Sequence, residues 1–200
     1  HDCFSLVYKL PMESFSEQPD PVTYAWLDQN KHIWLCNKDT IFLYNTDTKQ
    51  VTHIKNDISE EITDIEQIDE SHIFIGTEMG NHYAQLENNA LKLINCDKLE
   101  SVKAQVSDLH FDKKIRKLFI GTFLRGIMVY DMNTKSVIRP DYNLKDISIT
   151  RFKPLNDKEL LIATDGGGVH KINMDTYQIV PEIVADYNSN CGMNGNSIND

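Results

Sequence analysis

A repeat constrains this chain more than any other feature. Four apolar triplets recur, each with a small residue and then a polar one behind it: Ile33-Trp34-Leu35-Cys36-Asn37, Ile73-Phe74-Ile75-Gly76-Thr77, Leu118-Phe119-Ile120-Gly121-Thr122 and Leu160-Leu161-Ile162-Ala163-Thr164. Their first residues are 40, 45 and 42 positions apart. A period of roughly 20–50 residues marks an array of one supersecondary unit, stacked so that neighbours bury each other's apolar faces.

The surroundings of the triplets repeat too. A strand-like stretch precedes each one: Val22–Trp26, Ile62–Ile65, Val106–Leu109 and Ile147–Thr150. Another follows: Ile41–Tyr44, His82–Leu86, Ile127–Tyr130 and Val169–Ile172. Turn residues come next (Asn45–Thr48, Glu87–Asn89, Asp131–Thr134, Asn173–Thr176), and a short closing stretch ends each unit: Gln50–Ile54, Leu91–Ile94, Ser136–Ile138 and Gln178–Val180. Four short β-rich runs punctuated by polar turns predict an antiparallel four-stranded sheet with hairpin connections. The triplets are apolar at consecutive positions, as expected of a strand covered on both faces. Helical propensity is confined to Leu99–Ala104, between two units, where a single turn fits.

Four-stranded units at this period predict an all-β chain, a β-propeller of four-stranded antiparallel blades packed face to face around a channel. The expected boundaries are a remnant of a preceding blade at 1–19, blades at 20–58, 59–104, 105–146 and 147–191, and the start of a further blade at 192–200. Phe4–Leu10 reads as the last strands of the earlier blade, and Asn196–Asn199 as the first strand of the later one. About four blades would make an incomplete arc, and its exposed end faces predict self-association through the terminal blades.

Charge narrows the partners. Twenty Lys and Arg against 30 Asp and Glu leave a net charge of −10, which repels phosphate backbones and anionic lipid, so no nucleic-acid partner is expected. No uncharged apolar run approaches the roughly 18–20 residues of a spanning helix, so a membrane connection would run only through segments outside this sequence. No basic start followed by an apolar core and a cleavage site is present either. Cys3, Cys36, Cys96 and Cys191 lack any CxxC or Cys/His spacing, and the seven histidines share no ligand spacing with one another; neither a metal nor a cofactor is expected. The four cysteines leave the redox compartment open.

The phrases QNKHIWLCNKDTIFLYNTDTKQ, KLFIGTFLRGIMVYDMNTKSV and ELLIATDGGGVHKINMDTYQI resemble the two-component regulator propeller repeat, with its approximate pattern N-x-I-W-I-G-T-x-x-G-L-x-x-Y-D-x-x-T. Gly192–Asp200 is similar to that family's approach to the next blade. The resemblance spans about residues 20–200; it departs from the pattern at Cys36-Asn37, which replaces Gly-Thr, and at Asn81-His82, where the family prefers Gly-Leu. It implies the extracytoplasmic (periplasmic) sensor region of a hybrid two-component receptor, whose histidine kinase, membrane helix and receiver lie elsewhere. It also implies that the propellers sense, often taking oligosaccharides as stimuli, and that this segment is not itself an enzyme.

In a propeller the loops between second and third strands crowd one channel mouth, where such folds usually bind ligands. Those loops are 37–40, 78–81, 123–126 and 165–168. Phe123 beside Arg125 offers a stacking platform and a fork of donors suited to a sugar or a carboxylate. Glu78 and Asp165 complete the expected ligand-binding set, and no catalytic residue is assigned. Asp165-Gly166-Gly167-Gly168 reads as a hairpin that needs positive φ, with no following helix to make it a phosphate loop. The acidic run Glu60, Glu61, Asp64, Glu66, Asp69 and Glu70 reads as a solvated blade edge. Two other functions compete with sensing: a propeller lyase, which needs a metal and a His/Glu cluster at the mouth near His82 and His170, and a protein-binding scaffold.

Overall fold

The computed structural model describes residues 22–37, 40–140 and 148–183. They form four four-stranded antiparallel sheets, each a simple meander. The first comprises β1 (Tyr24–Leu27), β2 (His32–Cys36), β3 (Ile41–Asn45) and β4 (Val51–Ile54). The second comprises β5 (Ile62–Gln67), β6 (His72–Thr77), β7 (Asn81–Glu87) and β8 (Ala90–Ile94), followed by the one-turn helix α1 (Asp97–Glu100). In the third are β9 (Val106–Asp112), β10 (Lys117–Thr122), β11 (Gly126–Asp131) and β12 (Ser136–Ile138). The fourth holds β13 (Ile149–Asn156), β14 (Glu159–Thr164), β15 (Gly168–Asn173) and β16 (Ile179–Ile183).

The helical turn begins two residues earlier than its propensity indicates and ends at Glu100. Ser101 closes it by donating from Oγ to the Lys98 carbonyl at 2.6 Å, and Leu99 anchors it in the core. The outer hairpins carry their own signal: Asn45, Asp131 and Asn173 each accept the backbone N–H groups two and three residues ahead, 2.8–3.1 Å away. Such Asx turns are why Asn-x-Asp-Thr and Asp-x-Asn-Thr recur at this point of the repeat.

There is no single core. Three apolar layers lie between successive sheets: one around Trp34, Ile41, Ile65 and Ile75, a second around Phe74, Leu109, Leu118 and Met128, and a third around Phe119, Ile127, Ile149 and Ile162. This is blade packing, and the triplet strand supplies both faces of it. In β6 and β10 every residue after the first is buried, as consecutive apolar character demands. β14 differs: burial alternates along it, because none of the described residues covers the outer face of the fourth sheet.

The small residue after each triplet has a steric cause. A Cβ built on Gly76 would lie 2.5 Å from Val106 Cγ1, and one on Gly121 would lie 2.8 Å from Ile149 Cγ2. Val106 and Ile149 open the innermost strand of the following blade, so the glycines let adjacent blades close. At the equivalent register Cys36 and Ala163 carry side chains; the Cys36 thiol is buried against the second blade, and Ala163 lies on the open face. Burial pushes the Cys36 thiol up to about 12, and Cys96 Sγ lies 3.4 Å from the Tyr130 hydroxyl. Cys3, Cys191, Phe4–Leu10 and 192–200 fall outside the described residues.

Candidate functional site

The loops after the triplets share one end of the blades. Each is tied back to the segment entering the innermost strand of its own blade: Glu78 N–H donates to the Glu61 carbonyl (3.1 Å), Phe123 N–H to that of Gln105 (3.0 Å) and Asp165 N–H to that of Ser148 (3.0 Å). Below the tips, Thr77, Thr122 and Thr164 are fully buried. Their hydroxyls donate across the loop to the carbonyls of Gly80, Gly126 and Gly168, at 3.1, 2.7 and 2.9 Å. The threonine of the Gly-Thr pair is therefore a loop clamp. Gly166 and Gly168 adopt φ of 93° and 82°, the positive values that the Asp-Gly-Gly-Gly turn calls for.

On this frame Glu78, Phe123, Arg125 and Asp165 are all exposed, and no hydrogen bond or ion pair joins any two of them. Arg125 makes no ion pair among the described residues. The side chains thus present an aromatic face, a guanidinium and two carboxylates to solvent from three consecutive blades. Lys38 and Asp39 of the first loop lie outside the described residues.

The acidic run departs from the solvated edge expected of it. Asp64 and Glu66 lie on the innermost strand of the second blade and reach across to the third. Asp64 Oδ2 accepts the Leu109 N–H at 2.6 Å, and Glu66 Oε1 accepts that of Phe111 at 2.8 Å. Asp108 repeats the pattern one blade later, accepting the Phe152 N–H at 2.6 Å. In the first blade Tyr24 fills the same register: its hydroxyl accepts from Ile65 N–H (3.2 Å) and donates to Asp64 Oδ1 (2.7 Å). The fourth blade carries Arg151 there, paired with Asp108 Oδ1 at 3.0 Å. In the second, third and fourth blades, backbone N–H groups on the edge of the inner strand donate to side chains of the preceding blade, which is what an unpaired strand edge needs.

Burial governs the ionisation of this wall. It drives Asp64 up, and it pushes Glu66 and Asp108 each to about 7, with the neighbouring carboxylates adding to the rise. Tyr24 is likewise raised by burial beside Asp64. The signal for the wall was in the sequence: Ile62-Thr63-Asp64 and Val106-Ser107-Asp108 align within the repeat.

The histidines near the mouth stand apart. His82 Nε2 lies 3.7 Å from Glu60, while His170 is buried and donates from Nε2 to the Gly167 carbonyl at 2.8 Å. Among the described residues no three His, Cys, Asp or Glu side chains gather in a metal-holding group. At the opposite end, a cleft of about 470 Å³ opens between the third and fourth blades, with His110, Phe111, Pro154 and Met174 in its lining. Burial lowers His110 below the ordinary histidine value. The cleft exists because Pro154 occupies the register of Phe111 and has no N–H to offer, while His110 replaces the accepting Glu66.

No protein-family model matches the sequence, and no curated protein sequence matches it either. Solved structures do share its shape. Two structures of the extracellular domain of BT4673 from B. thetaiotaomicron, described as a one-component and as a hybrid two-component system, superpose with a TM-score of 0.69 at 21% identity over 92% of this chain. The extracellular domain of the hybrid two-component system BT3049 from the same organism gives 0.60 at 14% identity over 80%. Saccharomyces cerevisiae Sqt1 gives 0.61 at 18% over 76%, so the blade architecture by itself does not select a function. The chain spans only 24–26% of the length of the two-component domains and 44% of Sqt1. It has the propeller-blade fold found in the extracellular domains of two-component systems.

Proposed function

We propose that the chain is a ligand-sensing segment of an extracytoplasmic two-component receptor propeller, and that it takes an oligosaccharide at the loop mouth. One observation carries the reading: Phe123 and Arg125 stand exposed on a loop that is clamped from below and tied to its neighbours, so a stacking face and a hydrogen-bonding fork are held out at no structural need. The wall beneath is committed to joining blades and leaves the loop tips to make the recognition contacts. In this reading the blades correspond to 20–58, 59–104, 105–146 and 147–191. Glu78 and Asp165 accept ligand hydroxyls at the rim. The fold shared with extracellular domains of two-component systems and the repeat resemblance both support this assignment; signalling chemistry belongs to a kinase elsewhere in a longer receptor.

Calorimetric titration tests it. Maltohexaose, xylohexaose, cellohexaose and a hexameric β-1,3-glucan are presented to the wild type and to the double variant Phe123→Ala, Arg125→Ala. At least one sugar should bind, and the double variant should lose at least about tenfold in affinity, or roughly 1.4 kcal/mol. Unchanged binding in the double variant would remove the site, and no binding by any sugar would favour a protein-binding scaffold.

A further inference from the structure

The loop carrying Phe123 and Arg125 holds a third residue whose placement has no structural explanation. Leu124 adopts φ of 61°, in the left-handed region. Bulky side chains avoid that region because Cβ crowds the backbone. The other described non-glycine residues with positive φ are Lys, Asn, Arg and Tyr177, whose ring packs into the third apolar layer under Lys117. Leu124 is the only aliphatic residue among them, and it is 60% exposed, outside every apolar layer.

The fourth blade provides the comparison. Thr122 pairs with Gly126 and Thr164 with Gly168, so the two loops have the same length and register. At the place of Leu124 the fourth blade uses Gly166, with φ of 93°. The same turn is therefore made with glycine in one blade and with a strained, solvent-exposed leucine in the next. The backbone of the strained residue is held from both sides: Leu124 N–H reaches Ser148 Oγ at 3.3 Å, and the Thr122 hydroxyl clamps Gly126. Beside it Phe123 is 48% exposed, and on the corresponding loop of the second blade Met79 is 63% exposed. Apolar side chains presented in this way by clamped loops mark a recognition surface.

We infer that Leu124 is a specificity-determining contact of the mouth: with Phe123 and Met79 it forms an apolar subsite for the C–H face of a sugar ring, while Arg125 and Glu78 take the ring hydroxyls. The inference rests on the oligosaccharide reading above. It makes the leucine costly to the fold and useful only to the ligand.

Two substitutions separate these effects. Leu124→Gly relieves the backbone and removes the side chain; Leu124→Ala removes the side chain but leaves a Cβ at positive φ. The inference expects Leu124→Gly to raise the melting temperature by about 2–4 °C, Leu124→Ala to leave it unchanged or lower, and both to weaken binding of the sugar found by the titration at least about fivefold. A lower melting temperature for Leu124→Gly would show that the side chain supports the fold, and would overturn the inference. Full binding by both variants, with binding lost in Phe123→Ala, Arg125→Ala, would overturn it while sparing the sugar site. If the double variant also binds normally, or if no sugar binds the wild type, the mouth reading falls and takes this inference with it.

Discussion

At the scale of single residues, the small residue after each triplet serves close approach of the blades. Gly76 and Gly121 stand where the next blade's first residue arrives, and a methyl group on Gly121 would meet Ile149 Cγ2 at 2.8 Å and Phe152 Cε2 at 3.2 Å. Gly121→Ala should therefore destabilise the chain by about 1–3 kcal/mol, the usual cost of overpacking, with Gly76→Ala at least as severe. Ala163→Gly, on the open face, should cost less than half as much; equal losses in denaturant melts would contradict the packing account. The triplets were legible in the sequence because strands buried on both faces are apolar at consecutive positions, and Phe74 and Phe119 are indeed fully buried. Asp64 and Glu66 were not: a run of carboxylates looks the same whether water or a neighbouring strand's N–H groups receive it. For Asp64 its alignment with Asp108 distinguishes the two cases, and that is a property of the repeat rather than of the residue; Glu66 aligns with His110 and has no such signal. The exposed placement of Glu78, Phe123, Arg125 and Asp165 followed from the loop position alone. The strain at Leu124 could not be read, since φ at a loop tip is set by the loop's anchors.

At the scale of the element, the four inner strands exchange side-chain bonds in place of a backbone ladder, and this has a pH signature. Burial raises Glu66 and Asp108 to about 7, well above their ordinary values of 4.5 and 3.8. The folded state thus holds more protons than the unfolded chain between roughly pH 4 and 7, and linkage then makes stability fall as pH rises through that window. These two groups contribute their full stabilisation below about pH 4 and lose it above about pH 7. The slope is opposite to that of a carboxylate locked in a surface ion pair. Urea melts between pH 4.5 and 8 should show a decline with a contribution of roughly 1–3 kcal/mol from each group. Glu66→Gln keeps an oxygen for the Phe111 N–H and should flatten its share of the decline; a profile unchanged by that substitution would mean that Glu66 is ionised throughout. Asp64, Asp108 and Lys113 all act on Glu66, so the flattening is a property of the cluster.

At the scale of the whole molecule, the outer face of the fourth sheet is left uncovered by the described residues. On the outer face of the fourth sheet, Arg151, Lys153, Leu161, Ala163 and Val169 line a depression of about 460 Å³. The matching surfaces in the second and third blades are covered by their neighbours, so this one should pair with another copy at high concentration. Sedimentation velocity at rising concentration should show dimers that Val169→Asp abolishes; a single monomeric boundary throughout would argue against pairing. The joints between blades also differ in a way that bears on how the array comes apart. Side chains hold two amides of the third blade's inner strand, Leu109 through Asp64 and Phe111 through Glu66, whereas in the fourth blade's inner strand Asp108 holds Phe152 and Pro154 has no N–H to be held. Local opening starts where backbone groups are least held and a face is uncovered, and none of the described residues covers the outer face of the fourth sheet. Hydrogen exchange should accordingly reach the amides of Ile162 and Ile172 before those of Ile75 and Ile120, and the proline becomes the place where the chain unzips.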